Sequence, residues 1–232
     1  QNTTVNVGKQ GLTTPWTVAI DSDGNEQTGT GILALSTVGP VTLAGAYFNQ
    51  TNLDHSTDAV LNGTRIYDGT TEILDGASDV ATVGAILALE PVTLDAWYLN
   101  LKDTFDTYTV GAKAASEVSG IKLGADARYA SLSYDKAVAQ ALRTVTSANG
   151  VAEEDNSMAK LVLTADAGLI DAKLAYAMTD EEGGAAGLDT DAVTSIQGWS
   201  VNANGKADAD YWQAVVGIDV LSNLNLSANY VN

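Results

Sequence analysis

The chain has 232 residues, 45% of them hydrophobic, with one histidine, no cysteine and a net charge of −18. Disulfides, thiolate metal sites and cysteine nucleophiles are excluded, and the acidic balance argues against a nucleic-acid partner. No run approaches the ~20 apolar residues of a transmembrane helix, so contact with a membrane would be through strands or at the surface.

Val5 and Val7 alternate with polar Thr4 and Asn6, which predicts a short opening strand. Residues 9–30 then read as neither strand nor helix. They carry Trp16, Asp21, Asp23, Glu26 and the glycines Gly24 and Gly29. A connection this long is uncommon in a compact domain and is usually functional or disordered, and this composition suggests an ordered, inward-folded loop.

From there the period is two, repeated in pairs. Segments 31–38 and 41–49 meet at Gly39-Pro40, and 80–89 and 92–102 meet at Glu90-Pro91. Segments 108–115 and 121–132 meet around Ser119-Gly120, 159–167 and 170–178 at Gly168-Leu169, and 211–220 and 224–231 at Ser222-Asn223. With the opening strand this makes eleven candidates. The connections at the other end, 9–30, 50–79, 103–107, 133–157 and 179–209, are mostly long and rich in Asp, Gly, Thr and Asn. Short turns at one end and long loops at the other predict an all-β, antiparallel transmembrane β-barrel. One helix is expected inside a loop, at 135–144, behind Asp135 as a candidate N-cap.

The strand faces support this reading. Leu161 and Leu163 oppose Lys160 and Thr164, Leu123 and Ala125 oppose Lys122 and Asp126, and Leu174 and Tyr176 oppose Lys173. The apolar face is thin in bulk and carries aromatics near strand ends (Tyr47, Tyr98, Tyr108, Tyr129, Tyr176, Trp212, Tyr230), as an interfacial girdle beside a lipid band would.

Catalysis finds little material. His55 is a lone loop histidine, Glu153-Glu154 and Glu181-Glu182 read as solvated charge, and no phosphate loop is present. The expectation is a protein that is not an enzyme. Five bases, Lys113, Lys122, Arg128, Lys160 and Lys173, fall on polar strand faces with Asp95, Asp126, Asp166 and Asp171. In a barrel they line the lumen, since a charge facing mid-bilayer lipid costs about 2–4 kcal/mol. Two readings stay open. The acids of 9–30 face these bases across a constriction and set ion selectivity, or the bases keep a wetted wall polar and are neutralised by its own acids. The run from Asp21 to Glu26 reads first as an Asp/Gly turn. It is no EF-hand, because the twelfth position is Ile32. A cation site at Asp21, Asp23 and Glu26, completed by other acids, is the alternative.

The stretch from Gly8 to Gly31 resembles the campylobacter-type major outer membrane porins at Gly8, Lys9, Gln10, Leu12, Trp16, Thr17, Gly29, Thr30 and Gly31. It covers about one tenth of the chain. The resemblance implies a Gram-negative outer-membrane, homotrimeric barrel of 16–18 strands, seated in lipid, that passes small hydrophilic solutes and favours cations. It also implies a channel-entering loop with Lys9, Gln10, Trp16, Asp21, Asp23 and Glu26, and calcium there. Val18-Ala19-Ile20 precede the acids, a departure from the family pattern. Eleven strands are odd where an antiparallel barrel needs an even number. The expectation is therefore one partial barrel domain over 1–232, about four strands preceding Gln1 and a few following Asn232. The competing reading is a secreted or cell-surface acidic β-rich adhesin or surface-layer module without a channel.

Overall fold

The alternation along the chain becomes a ladder of sequence neighbours. The computed structural model describes residues 2–21, 24, 26–53, 76–145, 153–199 and 201–232. Its strands are β1 (Asn2–Gly11), β2 (Thr28–Val38), β3 (Val41–Thr51), β4 (Val80–Leu89), β5 (Val92–Leu101), β6 (Phe105–Val118) and β7 (Ile121–Tyr134). The helix α1 (Lys136–Val145) follows, then β8 (Asp155–Asp166), β9 (Ile170–Thr179), β10 (Gln197–Gly198), β11 (Val201–Asn202), β12 (Asp210–Leu221) and β13 (Leu224–Val231). Eleven of these form one antiparallel sheet in the order β1-β2-β3-β4-β5-β6-β7-β8-β9-β12-β13, and β10 and β11 make a separate small hairpin.

The tight turns fall where the sequence places them. Between β6 and β7, Val118 pairs with Ile121 across Ser119 (φ 53°) and Gly120 (φ 81°). Two consecutive residues in the left-handed region make a two-residue hairpin whose twist matches that of its strands.

Several boundaries differ from expectation. The opening strand is ten residues long, because its pairing with β2 runs from Asn2↔Thr37 to Gly11↔Thr28, and the connection therefore shrinks to 12–27. The expected 103–107 loop is a turn at 102–104, since Leu101 already pairs with Phe105. The β10–β11 hairpin was not legible, because two-residue strands carry no periodicity. His55 and most of the 50–79 connection lie outside the described residues.

The sheet wears its hydrophobic side outward. Leu161 and Leu163 are each 42% exposed, while Arg128 on the opposite face of β7 is 5% exposed. The aromatic girdle lies at the loop end. Tyr98 pairs directly with Tyr108, and Tyr176 with Trp212, whose ring centroids are 4.4 Å apart. Near the tight turns the same face carries exposed aliphatics such as Val38, Leu89, Ile121, Ile170 and Leu224.

At the loop end the polar face changes character. Phe48, Val80, Leu99, Leu101, Phe105, Leu132 and Tyr134 are buried there with Leu12, Trp16 and Leu53 of the loops and Val138, Ala139, Ala141 and Leu142 of α1. Burying a large side chain contributes about 1.5–3 kcal/mol, so this is a true core inside the mouth of the sheet. Phe105 and Tyr134 meet edge to face at 6.2 Å. The helix begins after Asp135, as expected. The Ala139 N–H donates to the Asp135 carbonyl (2.9 Å), and the Asp135 N–H donates to the Thr104 carbonyl (2.9 Å), which fixes α1 over the β5–β6 turn.

Candidate functional site

Below that core the polar face carries the charges. Asp95, Gly111, Arg128 and Lys160 lie on one rung of β5 to β8. The Arg128 guanidinium reaches over Gly111 to grip Asp95 with both terminal nitrogens (Nη1–Oδ1 2.8 Å, Nη2–Oδ2 2.7 Å), and Nη1 also donates to Thr109 Oγ1 at 3.2 Å. A bidentate pair is both strong and geometrically specific. Lys113 faces Asp126 at 3.6 Å, and Lys122 faces Asp166 at 3.5 Å near the tight turns. Lys173 stands between Thr164 and Val215 in the register. All five predicted wall bases, with Asp126 and Asp166, therefore share one face of the sheet. Three of the five, Lys113, Lys122 and Arg128, are engaged by the wall's own acids.

Lys160 has a different partner. Its Nζ donates to the Ser195 carbonyl at 2.7 Å, so the segment that meets the basic wall here is 180–209. That loop rests on small inward side chains: Ala130, Ala175 and Ala177 of the wall are buried against Ala186, Ile196 and Ala203. Its own fold is held by Asn204, whose Oδ1 accepts from the Ala186 and Gly187 amides (2.9 and 3.1 Å) and whose Nδ2 donates to the Gly187 carbonyl (3.1 Å). Nothing in the sequence marked this loop above the other polar connections, because its key acceptor is a backbone carbonyl.

The loop 12–27 joins it. The Leu188 N–H donates to the Trp16 carbonyl and the Thr194 N–H to the Pro15 carbonyl, both at 2.9 Å. Gln27, wholly buried, accepts from the Val18 amide (3.0 Å) and donates to the Leu188 carbonyl (2.9 Å).

The residues predicted in 9–30 separate. Lys9 is exposed on β1 in phase with Val5 and Val7, and Gln10 is also on β1, in the opposite phase, so both belong to the wall and not to the loop. Trp16 is fully buried in the mouth core. Asp21 is buried within the loop, and Glu26 is exposed, its carbonyl accepting from Asn52 Nδ2. Asp23 lies outside the described residues. Among the described residues no cluster of three acidic or histidine side chains is placed to hold a metal ion.

A meander of antiparallel strands, apolar outside and charged inside, with tight turns at one end and folded loops at the other, defines an outer-membrane β-barrel of the porin type, an architecture of the Gram-negative outer membrane. No family model matches the sequence, and no curated protein matches it. Solved structures do. The chain is similar to Pseudomonas aeruginosa OccK5 (OpdH), with a TM-score of 0.73 and 17% identity over 100% of this chain and 61% of that one. OccK2 (OpdF) of the same organism, in complex with glucuronate, gives 0.75 and 14% over 100% and 61%. OpdK with vanillate gives 0.69 and 18% over 94% and 54%. The chain thus spans about three fifths or less of the length of these porins. At such identities the likeness is one of fold. The campylobacter-type resemblance rests on the residues between Gly8 and Gly31.

Proposed function

We propose that this chain forms barrel wall and inward loops of a Gram-negative outer-membrane porin that passes small hydrophilic solutes and ions and favours cations. The observation that carries the reading is the inversion of the sheet. Leu, Val and Tyr side chains stand exposed on one face, and the wall charges gather on the other, where the Arg128 side chain is buried against Asp95. A water-soluble β-protein buries its apolar face, whereas lipid supplies the missing cover here. Glucuronate and vanillate, bound in two of the similar barrels, are small hydrophilic solutes; both are carboxylate anions, so the cation preference rests on this chain's own charges.

In this reading the joined loops 12–27 and 180–209 narrow the passage, and the assembly is a homotrimer of the campylobacter type. Cation preference follows from 29 acids against 11 bases, with Lys113, Lys122 and Arg128 already held by wall carboxylates. The test is reconstitution of the full-length protein in planar bilayers. Stepwise conductance with a cation-side reversal potential is expected, and well-folded protein without conductance would remove the reading. Neutralising Asp21, Asp23 and Glu26 together should move the reversal potential away from cations. If these three bind calcium, the wild-type potential also changes with added calcium and that of the neutralised variant does not.

A further inference from the structure

Two glycines of the inward face stand directly beneath large side chains of neighbouring strands. A Cβ on Gly84 of β4 would lie 2.1 Å from Cε3 of Trp97, and a Cβ on Gly111 of β6 would lie 2.2 Å from Nη2 of Arg128 and 2.7 Å from Oδ2 of Asp95. Neither glycine has a positive φ, so the backbone conformation does not demand glycine at either place. A glycine inside a strand weakens it, and close approach of another group is the usual reason for one. The two sites adjoin: Trp97 pairs with Gly84 and with Thr109, and Thr109 is bonded to Arg128.

We infer that Gly84 and Gly111 set the bore of the pore, as seats on which Trp97 and the Arg128–Asp95 pair lie flat against the wall. The inference rests on the porin reading. With a methyl group in either seat the covering side chain must lift toward the axis. For Trp97 this narrows the passage without changing its charge. For Arg128 it also separates the guanidinium from Asp95 and presents a cation to the stream.

Single-channel recording on the full-length protein tests this. Gly84→Ala should lower conductance and leave the reversal potential unchanged, and the loss should vanish when Trp97→Ala is added. Gly111→Ala should lower conductance and also shift the reversal potential toward anions, with both effects absent once Asp95→Ala and Arg128→Ala remove the pair. Gly45→Ala is the control, because its Cβ meets nothing within 4 Å. Wild-type conductance and selectivity in both glycine variants would overturn the inference while the porin reading stands. So would losses that persist after the covering side chains are removed, since they would belong to the backbone. If Gly111→Ala does not assemble, the Gly84 and Trp97 cycle decides alone. A silent wild-type protein overturns the porin reading and this inference with it.

Discussion

The ammonium of Lys160 on β8 and the carbonyl of Ser195, 35 positions further along the chain, share a 2.7 Å hydrogen bond on the inner wall. It ties the longest described loop to the sheet. Lys160→Met keeps the stem and removes the donor. A hydrogen bond to a charged group contributes about 1.5–3 kcal/mol, so the loop should open more often while the barrel holds. Faster amide exchange at Thr194 and Leu188, with unchanged exchange in β7 and β8, is the expected result. Unaltered loop protection would show that the alanine floor alone seats it.

Gln27 joins the two inward loops through its side chain. Gln27→Leu breaks one buried and one part-buried hydrogen bond and leaves the Leu188 carbonyl and the Val18 amide without that partner. At about 1–3 kcal/mol for each orphaned group, cleavage by protease within 180–209 should increase. In single-channel records the open state should become noisier. A quiet channel with a resistant loop would mean that the Trp16 and Pro15 carbonyls suffice.

The assignment of faces can be tested on one strand. Leu163 points outward and Thr164 inward on β8. Leu163→Lys should cost about 2–4 kcal/mol in a lipid-coupled unfolding titration, whereas Thr164→Lys should cost much less. Equal costs would mean that lipid does not cover the apolar face.

Asp95→Asn leaves Arg128, whose side chain is 2% exposed, without its carboxylate. Breaking a buried pair from one side costs about 3–5 kcal/mol, and replacing both partners costs far less. Urea unfolding in bilayers of Asp95→Asn against the Asp95→Ala/Arg128→Ala double variant should show that order. The reverse order would place water around the pair.

Much of the sheet was legible because alternation is a local signal and ten of its eleven strands lie beside a two-residue turn. The positions of Lys113, Lys122, Lys160 and Lys173 follow from the same parity. The mouth core was not legible, because Phe48, Leu99, Leu101, Phe105 and Leu132 sit at polar-face positions and look like breaks in the pattern. A signal was present in β5, where Trp97, Tyr98, Leu99 and Leu101 are bulky on both parities and therefore need cover on both sides. The flat lie of Arg128 could not be read, because it depends on a glycine one strand away. The loop anchor at Ser195 could not be read either, because any residue offers a carbonyl.

The core inside the mouth gives the two ends of this sheet unequal dependence on their surroundings. Near the loops a strand has apolar neighbours on both sides, lipid without and the α1 cluster within. Near the tight turns of β6 to β9 the inward side chains include Lys122, Asp166 and Asp171, so the outward face carries most of the nonpolar contact there. Stripping the amphiphile therefore leaves the loop end with an apolar interior of its own, whereas the β6 to β9 hairpins lose their main nonpolar cover. Delipidation should fray this barrel from the turns upward.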